Sequence, residues 1–362
     1  MAVSPNDPFS PGRPASGDAS PFRGDEDSRE AMRLAVPSDG VMHEQTLDFL
    51  SSCGMRVRRP SARGYTGSIP AVKGVEVVFQ RTADISARVE AGDADMGLVG
   101  YDRFAESRLD DGDSLLVMED LGFGRCALVV AVPDSWIDVD SMADLADIAV
   151  EFQESGRELR VATKYPTLTR AFLHRHDVNY FSLALLSGTV EPAPSIGYAD
   201  LIVDLTASGQ TLRENHLKQV ADGTVLESEG ALVANRRLLA TRPERLEAAR
   251  DVIERIEASM QAAGYMRVTA NIESESEEAV AAQVMQLDSA VGLHGPTVAR
   301  VYSPDGRRLY SATVFIAKSE LTPVVDHLRA IGGASVTVSN SDYVFGQSSR
   351  AYERLLGELG LA

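Results

Sequence analysis

The segment LIVDLTASGQTL places one carboxylate, Asp204, at the end of an apolar run and follows it with five small or polar residues, Ala207, Ser208, Gly209, Gln210 and Thr211. Leu201, Ile202, Val203 and Leu205 suit a strand buried on both faces, and TLRENHLKQV after them reads as helix. A small-residue loop between strand and helix presents several backbone N–H groups. With the partial positive charge of a helix start, such a loop favours a phosphate. Ser208 and Thr211 add hydroxyls, and Asp204 is placed to accept hydrogen bonds from vicinal sugar hydroxyls, so together they suggest a seat for a ribose 5-phosphate. The competing reading makes Ser208-Gly209 a plain turn and Asp204 a capping group, since short glycine motifs are common.

Other chemistries find little support. The six histidines include one close pair, His174 and His176, whose spacing puts them on different helix faces, unlike a zinc-binding i, i+4 pair. There is no Gly-x-Ser-x-Gly elbow, and neither Cys53 nor Cys126 has a histidine near it in sequence. The two cysteines lie far apart in apolar segments, the setting of reduced, buried thiols, and the expected compartment is the cytoplasm. No apolar run is long enough to cross a bilayer, and no signal-peptide pattern opens the chain. With 53 acidic against 35 basic side chains and a formal charge of −18, neither nucleic acid nor anionic membrane is an expected partner. An anionic substrate must therefore be captured by local cations and N–H groups.

The elements that would position these residues alternate. A strand and loop at RLAVPSDG precede a helix at MHEQTLDFLSSCG. A strand at VEVVFQR and a helix at TADISARVEAG follow, then a strand running into a loop at ADMGLVGYDRF. This alternation predicts a largely parallel α/β sheet with its ligand crevice at the carboxyl ends of the strands, where Pro37 to Gly40 and Gly100 to Asp102 would lie. A second α/β unit starts at CALVVAVP and includes LRVATKYPTLTRAFLHRH. The helix RPERLEAARDVIERIEASMQAAG then connects to a strand, helix, two hairpin strands turning at Asp305-Gly306, helix and strand, a βαββαβ ferredoxin-like module. The expected boundaries are a disordered tail at 1–30, a first lobe at 31–118 and 234–262, a second at 119–233, the module at 263–345 and a helical tail at 346–362. Composition, rich in Pro, Ser, Gly and Asp, supports the disordered tail.

Several collinear blocks, VEVVFQRTADISARVEAGDADMGLVGYD, DLGFGRCALVVAVP, LRVATKYPTLTRAF, LSGTVEPAPSIGYADLIVDLTASGQTLRENHL and VLESEGALVANR, together resemble ATP phosphoribosyltransferase, the first enzyme of histidine biosynthesis. The segments GPTVARVY and ATVFIAKSELTPVVDHLRAIGGASVTV are similar to the regulatory domain of that family's long form. The resemblance implies two lobes in the manner of type II periplasmic binding proteins, with the active site between them. It also implies attack of the ATP adenine N1 on C1 of phosphoribosyl pyrophosphate, Mg²⁺ bound mainly through the substrate's pyrophosphate with no protein metal site assigned, and feedback inhibition by histidine. A hexamer built from dimers is implied as well.

Carried onto this sequence, the resemblance gives Ala207 to Thr211 the 5-phosphate and Asp204 the ribose hydroxyls. Glu191 faces the sugar or pyrophosphate, unless it is a surface or helix-start carboxylate. Arg81 serves the phosphates, as Arg forks pair well with phosphate oxygens, or is a solvated group. Gly100, Tyr101 and Asp102 fall near the purine, Tyr101 stacking on adenine or lying in the core, and Asp102 bonding ribose. Thr163 and Lys164 belong to a second-lobe loop, where Lys164 adds positive charge or is solvated. One departure stands out: the first loop reads PSDGVM, with Asp39 and Val41 where the family usually carries lysine and arginine. Either Lys73, Arg103, Arg125 or Lys164 compensates, or the chain is a non-catalytic phosphoribosyl- or nucleotide-binding paralogue. A solute-binding protein shares the two-lobe architecture but calls for a signal peptide.

Overall fold

The computed structural model describes residues 30–61, 64–186 and 188–362. Apart from Glu30, the expected disordered tail lies outside them. The chain first builds β1 (Met32–Pro37), α1 (Gly40–Ser52), β2 (Thr66–Ser68), β3 (Val75–Gln80), α2 (Thr82–Ala91), β4 (Met96–Gly100), α3 (Tyr101–Ser107) and β5 (Ser114–Met118). It then crosses to a second lobe: β6 (Cys126–Pro133), α4 (Met142–Glu154), β7 (Leu159–Thr163), α5 (Pro166–Arg175), β8 (Phe181–Leu185), β9 (Leu201–Thr206), α6 (Gln210–Glu214) and β10 (Leu217–Ser228). It returns with β11 (Gly230–Asn235), α7 (Arg236–Thr241) and α8 (Pro243–Ala263).

The first sheet has the order β2-β3-β1-β4-β11-β5 and the second β10-β6-β9-β7-β8. Each contains three parallel strands beside one antiparallel strand that has just arrived from the other lobe, β11 and β6 respectively. The sheets are thus mixed, a correction to the largely parallel expectation. Alternation of strand and helix says nothing about a strand that enters from outside the unit. The two-lobed, twice-crossed α/β arrangement itself is the expected one.

Two sequence expectations fail locally. YDRFAES is helix, not loop: its Ala, Glu and Arg favour helix, and Phe104 is buried. The helix expected over TLRENHLKQV stops after Glu214, His216 turns to a φ of 55°, and Leu217 begins a twelve-residue strand. Leu217 and Val220 are buried in the second lobe there, and pairing with β6 overrides the local helical pattern.

α8 packs Ala249, Val252, Ile253 and Ile256 into the first lobe's core, and Arg245 on it meets the fully buried Asp95 at 2.7 Å. Asp95 also accepts the Arg33 N–H at 2.7 Å, so its charge is compensated from two elements. From α8 the chain passes through Gly264 into β12 (Tyr265–Glu273), then α9 (Glu277–Val284), α10 (Asp288–Val291), β13 (Thr297–Tyr302), β14 (Arg308–Ala317), α11 (Leu321–Ala330) and β15 (Ala334–Ser339). Their antiparallel sheet, order β13-β14-β12-β15, is the ferredoxin-like module, with Gly306 in the β13–β14 turn at a φ of 79°.

Beyond the module the chain comes back. Tyr343 donates its hydroxyl to the Cys53 carbonyl at 2.7 Å, the Val344 N–H reaches Ala258 O at 3.0 Å, and α12 (Arg350–Leu359) seats Ala351 and Leu355 in the first lobe's core. Arg354 donates to Val117 O in β5 at 2.8 Å. The expected tail helix is therefore part of the first lobe. Leu355→Ala should cost about 2–4 kcal/mol, the usual cost of a core leucine truncation. Equilibrium denaturation with a probe in the first lobe checks this; an unchanged midpoint would mean that α12 does not contribute to the core.

Candidate active site between the lobes

Parallel pairing aligns strand ends. Pro37 pairs with Gln80, so Asp39 and Arg81 emerge at one edge of the first sheet, with Tyr101 after β4 at the same edge. In the second sheet Thr163 pairs with both Leu185 and Val203, which brings together Lys164, the segment leading to Glu191, and Asp204. The lobes meet through these edges.

Asp204 is buried, and its Oδ2 lies 3.3 Å from the Lys164 ammonium while Oδ1 accepts the Leu205 N–H at 2.9 Å. Burial pushes its carboxyl above the ordinary aspartate value. The Lys164 charge and the Leu205 N–H oppose the shift, and the Glu191 charge adds to it. Glu191 is half-buried, with one oxygen accepting the Val190 N–H at 3.1 Å. Asp204, Lys164 and Glu191 thus form one electrostatic cluster. Ala207 and Ser208 are exposed on the loop beyond Asp204, and Gln210 and Thr211 are exposed at the start of α6. Gly209 takes a φ of 68°, accessible to glycine at low cost, and its N–H donates to Thr206 Oγ1 at 2.9 Å. That N–H is engaged within the loop, a correction to the reading of every amide there as a phosphate donor. Ala207, Ser208 and Gly209 wall a cavity of about 660 Å³ whose lining includes Arg125, Arg213 and Lys218, three cations in a chain of strongly negative charge.

Three expected contacts are placed otherwise. Asp102 does not open onto the cleft: it is 4% exposed, and its Oδ2 accepts the Tyr165 hydroxyl at 2.7 Å. Ser228 donates its hydroxyl to Oδ1 at 2.8 Å and accepts the Asp102 N–H at 3.0 Å. Gly100 is required beside it because a Cβ there would run into the Asp102 carboxylate. Thr163 is fully buried; its hydroxyl lies 3.1 Å from that of Thr169 and accepts the Tyr165 N–H at 3.0 Å, so it shapes the loop. Tyr101 is half-buried against Phe104 at a ring distance of 6.4 Å, the core alternative to stacking on a base. Tyr165, to which the sequence reading gave no role, is the fully buried partner that joins the lobes. Burial beside the Asp102 charge raises its phenol far above the usual tyrosine range, so it stays a donor. Arg103 lies over its ring at 4.3 Å and 3.8 Å from Asp102 Oδ2.

Asp39 and Val41 are exposed at the start of α1. The compensating cations are largely committed: Arg103 to Asp102 and Tyr165, Arg125 to Glu229 at 2.6 Å, Lys164 to Asp204. Lys73 precedes β3 and so sits at the opposite edge from Arg81, about 20 Å away at strand rise. Arg81 itself, exposed at the N-cap of α2, is at the right edge.

The family model described as HisG, ATP phosphoribosyltransferase, matches residues 81–258, and the HisG C-terminal domain model matches residues 262–341. ATP phosphoribosyltransferase 2, chloroplastic, of Arabidopsis thaliana is 38% identical over 339 residues, covering 92% of this chain and 82% of that one. The chain belongs to the ATP phosphoribosyltransferase family. The Afipia carboxidovorans ATP phosphoribosyltransferase is 35% identical over 329 residues, 90% of this chain and 98% of its own. Among solved structures, the ATP phosphoribosyl transferase (HisG:HisZ) complex from Thermotoga maritima aligns with 62% of this chain and 98% of its own at 24% identity and a TM-score of 0.48. Family membership covers the two lobes and the ferredoxin-like module alike. No helix among the described residues is long and apolar enough to cross a membrane.

The Asp204–Lys164 pair yields a direct check. Since burial favours the protonated acid, the carboxylate persists only above a pH higher than usual, and Lys164→Met, by removing an opposing charge, should move that point up again. Carboxyl ¹³C titration of both proteins reads it; a downward or absent change would contradict the pairing.

Proposed function

We propose that the protein transfers the phosphoribosyl group of phosphoribosyl pyrophosphate to N1 of the ATP adenine, releasing pyrophosphate, as the first step of histidine biosynthesis. The observation that carries this is family membership extending through both lobes and the C-terminal module. That the relatives are named as enzymes disfavours the non-catalytic alternative.

The transfer needs little covalent help. Positioning and electrostatics must tolerate a cationic, oxocarbenium-like sugar and stabilise a polyanionic leaving group. In our reading Asp204 and Glu191 lie on the sugar side. Asp204 accepts ribose hydroxyls, and the two negative charges favour the developing cation. Lys164 opposes the protonation that burial favours in Asp204, and on exchanging towards substrate it supplies positive charge to phosphate oxygens. Residues 207–211 seat the 5-phosphate beside Arg213, and Arg81 reaches the pyrophosphate or ATP phosphates from the facing lobe. Among the described residues no group of three or more His, Cys, Asp or Glu side chains is arranged to hold a metal. Glu191 and Asp204 are the carboxylates nearest the proposed sugar seat. They fit a magnesium ion that keeps substrate and water oxygens as most of its ligands, and neutralising the pyrophosphate charge is the chemistry such an ion supplies. The ferredoxin-like module is, in the same reading, the seat of histidine inhibition, and the active assembly is a homo-oligomer, a hexamer built from dimers, in the cytoplasm.

Incubation with ATP, phosphoribosyl pyrophosphate and magnesium, followed by the absorbance of the N1-substituted adenine, tests the reaction; no product at high enzyme concentration rejects it. Asp204→Asn should raise KM for phosphoribosyl pyrophosphate at least about tenfold, since one charged acceptor is lost. Histidine titrated into the active enzyme should lower the rate, and an unchanged rate would remove the regulatory assignment.

A further inference from the structure

The two crossings between the lobes run side by side. The Gly230 N–H donates to Phe123 O at 2.7 Å, the Leu121 N–H to Gly230 O at 3.0 Å, and Glu229 accepts from Gly122 N and Arg125 Nε at 3.1 and 2.6 Å. α3 starts against this junction, its Tyr101 N–H donating to Glu229 O at 2.9 Å. From there it reaches into the second lobe at two points. The nearer is the Asp102–Tyr165 bond. One helical turn further, Glu106 accepts the N–H groups of Thr167 and Leu168 at 2.8 and 3.0 Å. These are free donors of the first turn of α5, whose N-cap residue Tyr165 makes no side-chain cap of its own. A helix of the second lobe is thus capped by a carboxylate of the first.

We infer that Glu106 is a positioning residue: with Asp102 it makes α3 a two-point clasp that holds the lobes at the angle in which their carboxyl edges face each other. Geometry gives it leverage. Rotation about the crossings displaces a contact in proportion to its distance from them, and Glu106 lies about 6 Å further along the helix than Asp102. Opening therefore breaks the Glu106 cap first, and leaves two amides and a carboxylate to water. A substrate that must touch Arg81 in one lobe and Asp204 in the other binds the clasped form, and its apparent affinity scales with the clasped fraction. This last step rests on the proposed function; the clasp itself does not.

The test compares full-length wild type, Glu106→Ala, Glu106→Gln and, as a cap confined to one lobe, Ser141→Ala, whose hydroxyl caps α4. Glu106→Ala should speed hydrogen exchange at Thr167 and Leu168 and enlarge the radius of gyration in solution scattering. It should also raise KM for phosphoribosyl pyrophosphate about tenfold with kcat within about twofold, the loss expected when charge-assisted bonds stop favouring one of two states. Glu106→Gln keeps one acceptor oxygen and should fall between, and it decides the matter if the alanine variant does not fold. Ser141→Ala should lower stability and leave KM and radius alone. Faster exchange in Glu106→Ala with unchanged scattering would overturn the proposal, leaving Glu106 an ordinary local cap. If wild type has no transferase activity the scattering and exchange arms still decide the clasp, so the two failures are distinguishable.

Discussion

A carboxylate sealed between two lobes must find its hydrogen bonds from both of them. Asp102 has two hydroxyls on its oxygens, one from Tyr165 in the second lobe and one from Ser228 where the chain crosses back, with the Arg103 guanidinium close by. Separating the lobes would strand that charge or flood it with water, and either costs free energy. The same constraint fixes Gly100, since any side chain there would occupy the carboxylate's place. The edge that carries Arg81 and the edge that carries Asp204 are kept opposite one another by a residue that contributes nothing visible to the cleft itself.

Much of the frame was legible because it rests on local pattern. Continuous apolar runs marked β1, β3, β4, β7 and β9, Gly92 ended α2 in a left-handed conformation, and the βαββαβ order marked the last module. Asp204 was legible from its place after an apolar run, whereas Glu191 and Lys164 entered through the family resemblance; parallel strands deliver all three to one edge. What escaped were features decided at a distance. The antiparallel strands β11 and β6 come from the other lobe. Leu217 to Val220 read as helix because only the partner β6 makes them strand. Asp102 read as a ribose ligand because the family resemblance carries that role to its loop, and nothing near it in sequence announces Tyr165 or Ser228. One signal was available: Asp102 and Glu106 stand four apart in YDRFAES, the spacing of two side chains on one helix face, once the segment is seen as helix.

The charge pattern around the cleft has the same logic on a larger scale. A chain with a formal charge of −18 offers polyphosphates no net attraction, and salt screens exposed charges beyond about 8–10 Å, so cations at the site act locally. Lys164 and Arg125 are each held by a carboxylate, Asp204 and Glu229, which keeps them placed and partly neutralised. Binding an anion there requires an exchange of partners rather than simple attraction, and the loop with Asp39 and Val41 adds no cation to help.

The first lobe is stitched from three separated stretches of chain, 32–118, 230–263 and 343–359, whereas the second is a single insert running from 126 to 228. During synthesis the insert can close on itself as soon as it emerges. The first sheet, by contrast, waits with an open edge at β4 for β11, and its core waits longer still for Ala351 and Leu355. Contacts spanning such separations form slowly and leave apolar surface uncovered in the interval. The half of the protein translated earliest is therefore the last to be finished.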